Sequence, residues 1–456
     1  MKYIGLVLLL AAACAPTPEP EPPAPVMDLE RLTAAAERIT ETSGRERQLP
    51  YRRLRELAGR NPRRITGSVE LERAIEWAAS TMRDDGLDAV RLEPASVPHW
   101  VRGTERAAIV QPIDRPFTVL ALGGSVGTPG TVRASVVAFD DLDALRGTQA
   151  TLDRKIVFVN HRLPPFDEAH DDPGYRTGVQ ARLHAASEAA KRGALAVLVR
   201  SVTAVRSRLP HAGALAYEDG APRIPAAAVS TMDADMLADL VRRGPVTVEL
   251  ELGARTLPDV PSANVVGEIR GSAKPNEIVL LGAHIDSWDV GAGASDDAAG
   301  CVAVMEAMRL LRDGGLDVRR TVRAVLFTGE EYLLAGSRAY AATHGTERHV
   351  AAFETDYGMG APDAIGVGSD ERRDALAPFL PAFTRFGIRR FQPRAFGADV
   401  KPLVDAGAQG FDLEPDGRRY FDVHHSAADD LKTVRPEDLR RNSAAIALLA
   451  YYLANR

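Results

Sequence analysis

Residues 277–311 read EIVLLGAHIDSWDVGAGASDDAAGCVAVMEAMRLL. The run 277–281 is short, apolar and followed by Gly282, which predicts a buried strand. The stretch 297–311 carries an apolar stripe, and the paired acids Asp296 and Asp297 at its start suit the positive end of a helix dipole. Strand, loop and helix therefore follow one another within 35 residues. The same grammar repeats outward. Strands are predicted at 263–269, 323–327 and 351–354, and helices at 332–342, 374–386 and 436–453. Strands alternating with helices of this length predict an α/β fold, a mainly parallel sheet with helices on both faces. Ligands of such sheets bind beyond the carboxyl ends of the strands.

Upstream, helical signals alternate with charge over 28–59. Residues 69–86 predict an amphipathic helix through Leu71, Ile75, Ala78 and Met82, ended by Gly86, with a strand at 88–93. From Pro116 short β-like runs take over (FTVLAL, TVRASVVAF, KIVFVN, ALAVLV, VTVELEL), interrupted by helical stretches near 180–192 and 233–243. We read 116–258 as an inserted, strand-rich domain between an N-terminal part, 28–115, and the main part, 259–456.

The chain has 456 residues, 45% hydrophobic and 26% charged, with a formal net charge of −6. That composition is globular, and no Lys/Arg run offers a footprint for nucleic acid. Two Cys exclude a disulfide scaffold and a thiolate zinc cluster, so any metal must rest on His and carboxylates. One Lys, an apolar run over 4–13 and then Cys14 form an export signal over 1–13, too short to span a bilayer. Leu10-Ala11-Ala12-Ala13-Cys14 resembles a bacterial lipoprotein signal, with Cys14 the lipidated residue, although a plain secretory signal fits as well. The following PTPEPEPPAP makes 14–27 a stiff tether. The expected location is the cell envelope, periplasmic or outer face, with contact to a membrane only through that anchor; without the lipid the protein is secreted.

Clusters able to carry chemistry stand just after predicted strands or near the chain end: His284 with Asp286, Asp296 with Asp297, Glu330 with Glu331, Glu354 with Asp356, and His424 with His425. Each alone reads as a core histidine, a helix cap or a surface group. Together, on one sheet rim, they form a ligand set for zinc-like ions. A two-metal site needs one bridging carboxylate, a further carboxylate and a His for each ion, and a separate base for the water, whose pKa such ions lower from 15.7 to about 7.

The segments GAHIDSWDVGAGASDDAAG, TGEEYLLAGS, ETDYG and HHSAADD, in this order, resemble the co-catalytic zinc exopeptidases of the aminopeptidase and glutamate carboxypeptidase family. Residues 67–103 look like its plasma glutamate carboxypeptidase branch. GALAVLVRS and RIPAAAVSTMDADML look like the protease-associated domain that such enzymes carry as an insert. The resemblance implies two Zn²⁺. His284 and Asp356 would hold one, Glu331 and His425 the other, and Asp296 would bridge them. It further implies Glu330 as general base, Asp286 as the carboxylate orienting His284, and a cis peptide between Asp296 and Asp297. His425 is preferred over His424 because the family's ligand directly precedes Ser or Thr. The family often has Asp-Thr where Asp429-Asp430 stand and Gly where Ala298 and Ala299 stand. The implied activity is hydrolysis of terminal peptide bonds in short peptides or dipeptides, of carboxypeptidase type, by a water shared between the metals. An aminopeptidase is the alternative. A metal-less receptor-like protein or a single-zinc cyclase on the same scaffold is a second one. Arg394, Arg418, Arg419 and Tyr420 are candidates for gripping a substrate carboxylate, each arginine also readable as a solvated surface group. A homodimer is left open by the family.

Overall fold

The structure is a computed structural model describing residues 27–167 and 172–456. The expected signal segment, Cys14 and all but the last residue of the tether lie outside the described residues.

Two eight-stranded sheets organise the chain. The first runs, in spatial order, Asp88–Val101, Arg255–Ile269, Arg320–Phe327, Lys274–His284, Arg348–Glu354, Gln409–Pro415, Pro362–Gly366 and Arg390–Gln392. Its four middle strands, Arg320–Phe327 through Gln409–Pro415, are mutually parallel, while Arg255–Ile269 and Pro362–Gly366 flank them antiparallel. Strands buried on both faces read as unbroken apolar runs, which is why RAVLF and IVLLGA were legible. Side chains alternate across the sheet. Val279, Leu281 and Ala283 join one core with the helices Leu29–Arg45, Leu49–Arg60, Val69–Asp84, Ala299–Asp313 and Pro436–Asn455. Leu280 faces the opposite core with Phe327 and Tyr340, under the helices Ala335–His344 and Lys401–Asp405. Helices thus cover both faces, as the alternation of elements predicted.

Local boundaries differ where backbone chemistry intervenes. The helix expected from 332 starts at Ala335, because Leu333 and Leu334 adopt left-handed φ of 76° and 53°. The single helix expected over 374–386 is instead Asp370–Leu376, a 3₁₀ turn and Leu380–Thr384, since Pro378 and Pro381 each lack an N–H. The helix expected from 297 begins at Ala299, after a turn in which the Asp296–Asp297 peptide is cis.

The second sheet draws its strands from residues 105–252, with helices Tyr175–Ala190 and Thr231–Arg243. It starts earlier and ends sooner than the expected 116–258 block. Glu105–Gln111 pairs with Thr247–Leu252 in this sheet, whereas Arg255 pairs with Val101 in the first. The chain therefore leaves and re-enters the first sheet at adjacent points. The two units touch where Trp288 of the first lies against Gly123 of the second; a Cβ at Gly123 would stand 2.0 Å from the indole.

Candidate metal centre

Register brings the site together. His284 pairs with Phe327 on one side, and Gly282 pairs with Glu354 on the other, which in turn pairs with Asp412. Four parallel strands therefore end at one rim, and the residues that follow them emerge there: Asp286, Glu330 and Glu331, Asp356, and the 420–430 segment.

Asp296 sits at the centre and divides its two oxygens. Oδ1 lies 3.3 Å from His284 Nε2, which is itself 3.2 Å from Asp356 Oδ1. Oδ2 lies 3.3 Å from His425 Nε2, which is 2.8 Å from Glu331 Oε2. The five residues expected as ligands thus gather on both sides of one carboxylate: His284, Asp296 and Asp356 are mutually close, whereas on the other side the mutually close donors are Asp296, His424 and His425, and Glu331 joins them through His425. His284, Asp296, Glu331 and His425 are buried and Asp356 is partly open. His424, set aside on sequence grounds, also arrives: its ring stacks on His425 with centroids 3.5 Å apart, and its Nε2 is 3.8 Å from Asp296 Oδ2.

Neighbouring groups pin this arrangement. His284 Nδ1 stands 3.2 Å from the main-chain oxygen of Asp286, while the Asp286 carboxylate is 3.7 Å away. That carboxylate chiefly accepts the amides of Gly329, Glu330 and Glu331 at 2.8, 3.1 and 3.3 Å. Asp297 accepts from the amides of His284 and Gly300 at 3.2 and 3.0 Å, tying the strand end to the helix start. Asp429 accepts from Ser295 N, Ser295 Oγ and Asp296 N at 2.8, 2.9 and 3.2 Å. Sequence reading met Asp429 only as the unchanged half of the Asp429-Asp430 pair, whose departure is Asp430; its signal was an acid four residues past His425. His425 has left-handed backbone, φ 60°, and its carbonyl accepts from Ala212 N at 2.7 Å, a contact from the second unit.

The electrostatics are those of a cluster of buried anions. Burial raises the pKa of Asp296, with Asp356 adding to the rise and His284 opposing it. Burial also lifts Glu331 and Glu330 well above the usual carboxyl range; Asp296 reinforces the first, and Asp356 and Asp286 the second. For His284 burial opposes the charged form, yet hydrogen bonds to Asp286, Asp296 and Asp356 outweigh it, so its pKa is raised. His425 is pushed well down by burial and then by His424 and Arg182. Asp296 Oδ2 and Glu331 Oε1 are buried with no hydrogen-bond partner. Unpaired buried anions are costly unless a cation meets them, and carboxylate oxygens with imidazole nitrogens are the donors zinc takes. The donor set therefore fits divalent metal. A small recess opens beside Asp296, Glu331 and His425, walled by Trp288, Val290 and Ser426.

The candidate carboxylate grips fare differently. Arg418 is exposed and bonded to Asp416, Arg419 is exposed, and Arg394 is half exposed with Glu414 at 3.4 Å. These arginines point to surface roles, since each is solvated and each has an acidic partner close by, Asp422 in the case of Arg419. Tyr420 is buried beside Asp296.

Comparison with known proteins meets this geometry. The profile of peptidase family M28 matches residues 264–450, the span carrying all five expected ligands. Carboxypeptidase Q of Bos taurus is 36% identical over 417 residues, covering 90% of this chain and 86% of that protein. The solved structure of a peptidase M28 precursor from Shewanella amazonensis SB2B is 35% identical and superposes with a TM-score of 0.89, over 94% of this chain and 98% of that one. A zinc aminopeptidase from Bacillus subtilis, 18% identical, shares the fold with a TM-score of 0.66 over 89% and 94% of the two chains. With the sheet, the rim residues and relatives of this identity over nearly its full length in agreement, the chain belongs to peptidase family M28.

Proposed function

We propose that this peptidase is a two-zinc exopeptidase that removes terminal residues from short peptides or dipeptides, in the manner of a carboxypeptidase. The observation that carries the reading is the division of Asp296 between two groups of donors. His284 and Asp356 with Oδ1 would hold one ion, and His425 and Glu331 with Oδ2 the other. When bound, such a pair of ions polarises the scissile carbonyl and makes water acidic enough to attack near neutral pH.

The protein's own groups then do the rest. Glu330 takes the proton of the attacking water and passes it to the departing amine. Its main chain is fixed by Asp286, and burial, with Asp356 and Asp286 adding to it, raises its affinity for a proton, the direction a base requires. Likeness to carboxypeptidase Q supports release at the carboxyl end. An aminopeptidase remains the alternative within the class. Intact donor groups and the Glu330–Glu331 pair weigh against a metal-less receptor or a single-zinc cyclase. The test is metal content of the purified chain together with a dipeptide panel. Free against N-acetylated substrates and free against amidated carboxyl ends separate the two polarities. No turnover with zinc loaded would reject the hydrolase reading. Export with a lipid on Cys14 belongs to the same proposal. No helix among the described residues is long and apolar enough to cross a membrane.

A further inference from the structure

The two imidazoles of the centre are backed by opposite chemistry. A histidine that ligates through Nε2 carries its proton on Nδ1, and an acceptor behind that proton strengthens the ligand. His284 has one, the main-chain oxygen of Asp286 at 3.2 Å, with the Asp286 carboxylate close by. Behind His425 stands a cation instead. Nη1 of Arg182 lies 3.5 Å from His425 Nδ1. A guanidinium offers donors only.

Arg182 belongs to the other unit, on the helix Tyr175–Ala190, and is 8% exposed. Its hydrogen bonds go to neutral oxygens: Tyr175 hydroxyl at 2.8 Å, Ala214 carbonyl at 3.2 Å and Ala212 carbonyl at 3.5 Å. Among the described residues it forms no ion pair that would cancel its charge. The loop is moulded to it: Gly213 has φ 130°, and a Cβ there would lie 2.3 Å from the guanidinium. A fixed positive charge is thus held behind one metal-binding ring and not the other. In a poorly screened interior like charges repel over this range.

We propose that Arg182 loosens the hold of the centre on the ion taken by His425, Glu331 and Asp296 Oδ2. The two ions then bind with unequal strength, and the unit built from residues 105–252 sets the weaker one. The proposal rests on the two-ion reading above. It makes the His284 ion the permanent one and the His425 ion the exchangeable one, and gives Arg182 a positioning role outside the reacting atoms.

Titrating the full, metal-stripped chain with Zn²⁺ against a chromophoric chelator tests this without reference to turnover. The expected result is two steps at least about tenfold apart. In Arg182→Gln, whose amide oxygen can accept from Nδ1, the looser step tightens about tenfold, in line with the weight of groups behind a metal ligand. The tighter step stays where it was, which also reports that the variant is folded. Arg182→Met, without charge or acceptor, tightens the looser step less than Gln does, and Arg182→Lys leaves the steps apart. A looser step that is unchanged or weakened in Arg182→Gln overturns the proposal, as do two equal steps in the parent. A parent that takes up a single Zn²⁺ overturns the two-ion reading itself.

Discussion

Removing the Asp286 carboxylate is the sharpest test of how the centre is held. This side chain is fully buried and accepts three successive amides, those of Gly329, Glu330 and Glu331. In Asp286→Ala those donors lose their partner. A stranded buried donor costs about 1–3 kcal/mol, so three would cost about 3–9 kcal/mol if nothing relaxed. Water entering the vacated volume recovers part, and we expect about 3 kcal/mol of lost stability. Asp286→Asn keeps one acceptor oxygen, the one serving Gly329 and Glu330, and should lose about 1–2 kcal/mol. The functional effect is larger than the structural one. The turn carries Glu330 and Glu331, and a displacement of about 1 Å at reacting groups costs on the order of 100-fold in rate. The carbonyl of residue 286, which backs His284, survives both substitutions. The ion on His284 and Asp356 should therefore be retained while the ion on Glu331 weakens. Urea unfolding at fixed zinc, kcat on a dipeptide and zinc per chain read these three quantities. If Asp286→Ala unfolds within about 0.5 kcal/mol of the parent and turns over at the parental rate, the turn is held by something else and the reasoning fails.

Glu330→Gln should keep both metals and lose about 10²–10⁴ in kcat, the usual weight of a general base; parental kcat would remove the assignment. His284→Ala should lose metal by elemental analysis; zinc content equal to the parent's would contradict its place in the triad. Burial lowers the pKa of His211 from 6.5 to about 4, with Arg182 adding to the fall. The folded protein resists this proton and the unfolded chain accepts it, so stability is full above pH 6.5 and falls as pH drops toward 4. His211→Gln should remove about 3 kcal/mol of that acid sensitivity, measured as the difference in unfolding free energy between pH 7.5 and 4.5; an unchanged difference would show that the ring is not buried neutral. Labelled palmitate should enter the chain in a bacterial host and be lost in Cys14→Ser, while label persisting in the variant would exclude that cysteine.

Within the M28 fold, much of the centre could be seen in the sequence because each piece is locally encoded. IVLLGA and RAVLF are strands buried on both faces, and Asp296–Asp297 stands where a helix begins. Acids and histidines placed just past strand ends must share a rim once the strands are parallel. Other parts escaped. Gln409–Pro415 carries Asp412, Glu414 and two prolines or glycines among its seven residues, so its period is obscured, although it completes the rim. The broken helix after Ser369 followed from prolines that apolar spacing overrode.

The amino-acid order by itself determined the alternation of strands and helices and the chemical kind of the centre, since both depend on neighbours a few residues apart. Only tertiary structure decided that Asp296 turns one oxygen to each imidazole, that Asp429 holds its backbone, and that Arg182 and Ala212 reach His425 from the other unit. Apart from His284 with Asp296, which lie close in the chain, those contacts join positions separated by more than 100 residues. No local propensity or periodicity specifies them; the contacts of Asp296 and Asp429 arise where the parallel strands of the first sheet end together, and those of Arg182 and Ala212 where the second unit packs against that rim.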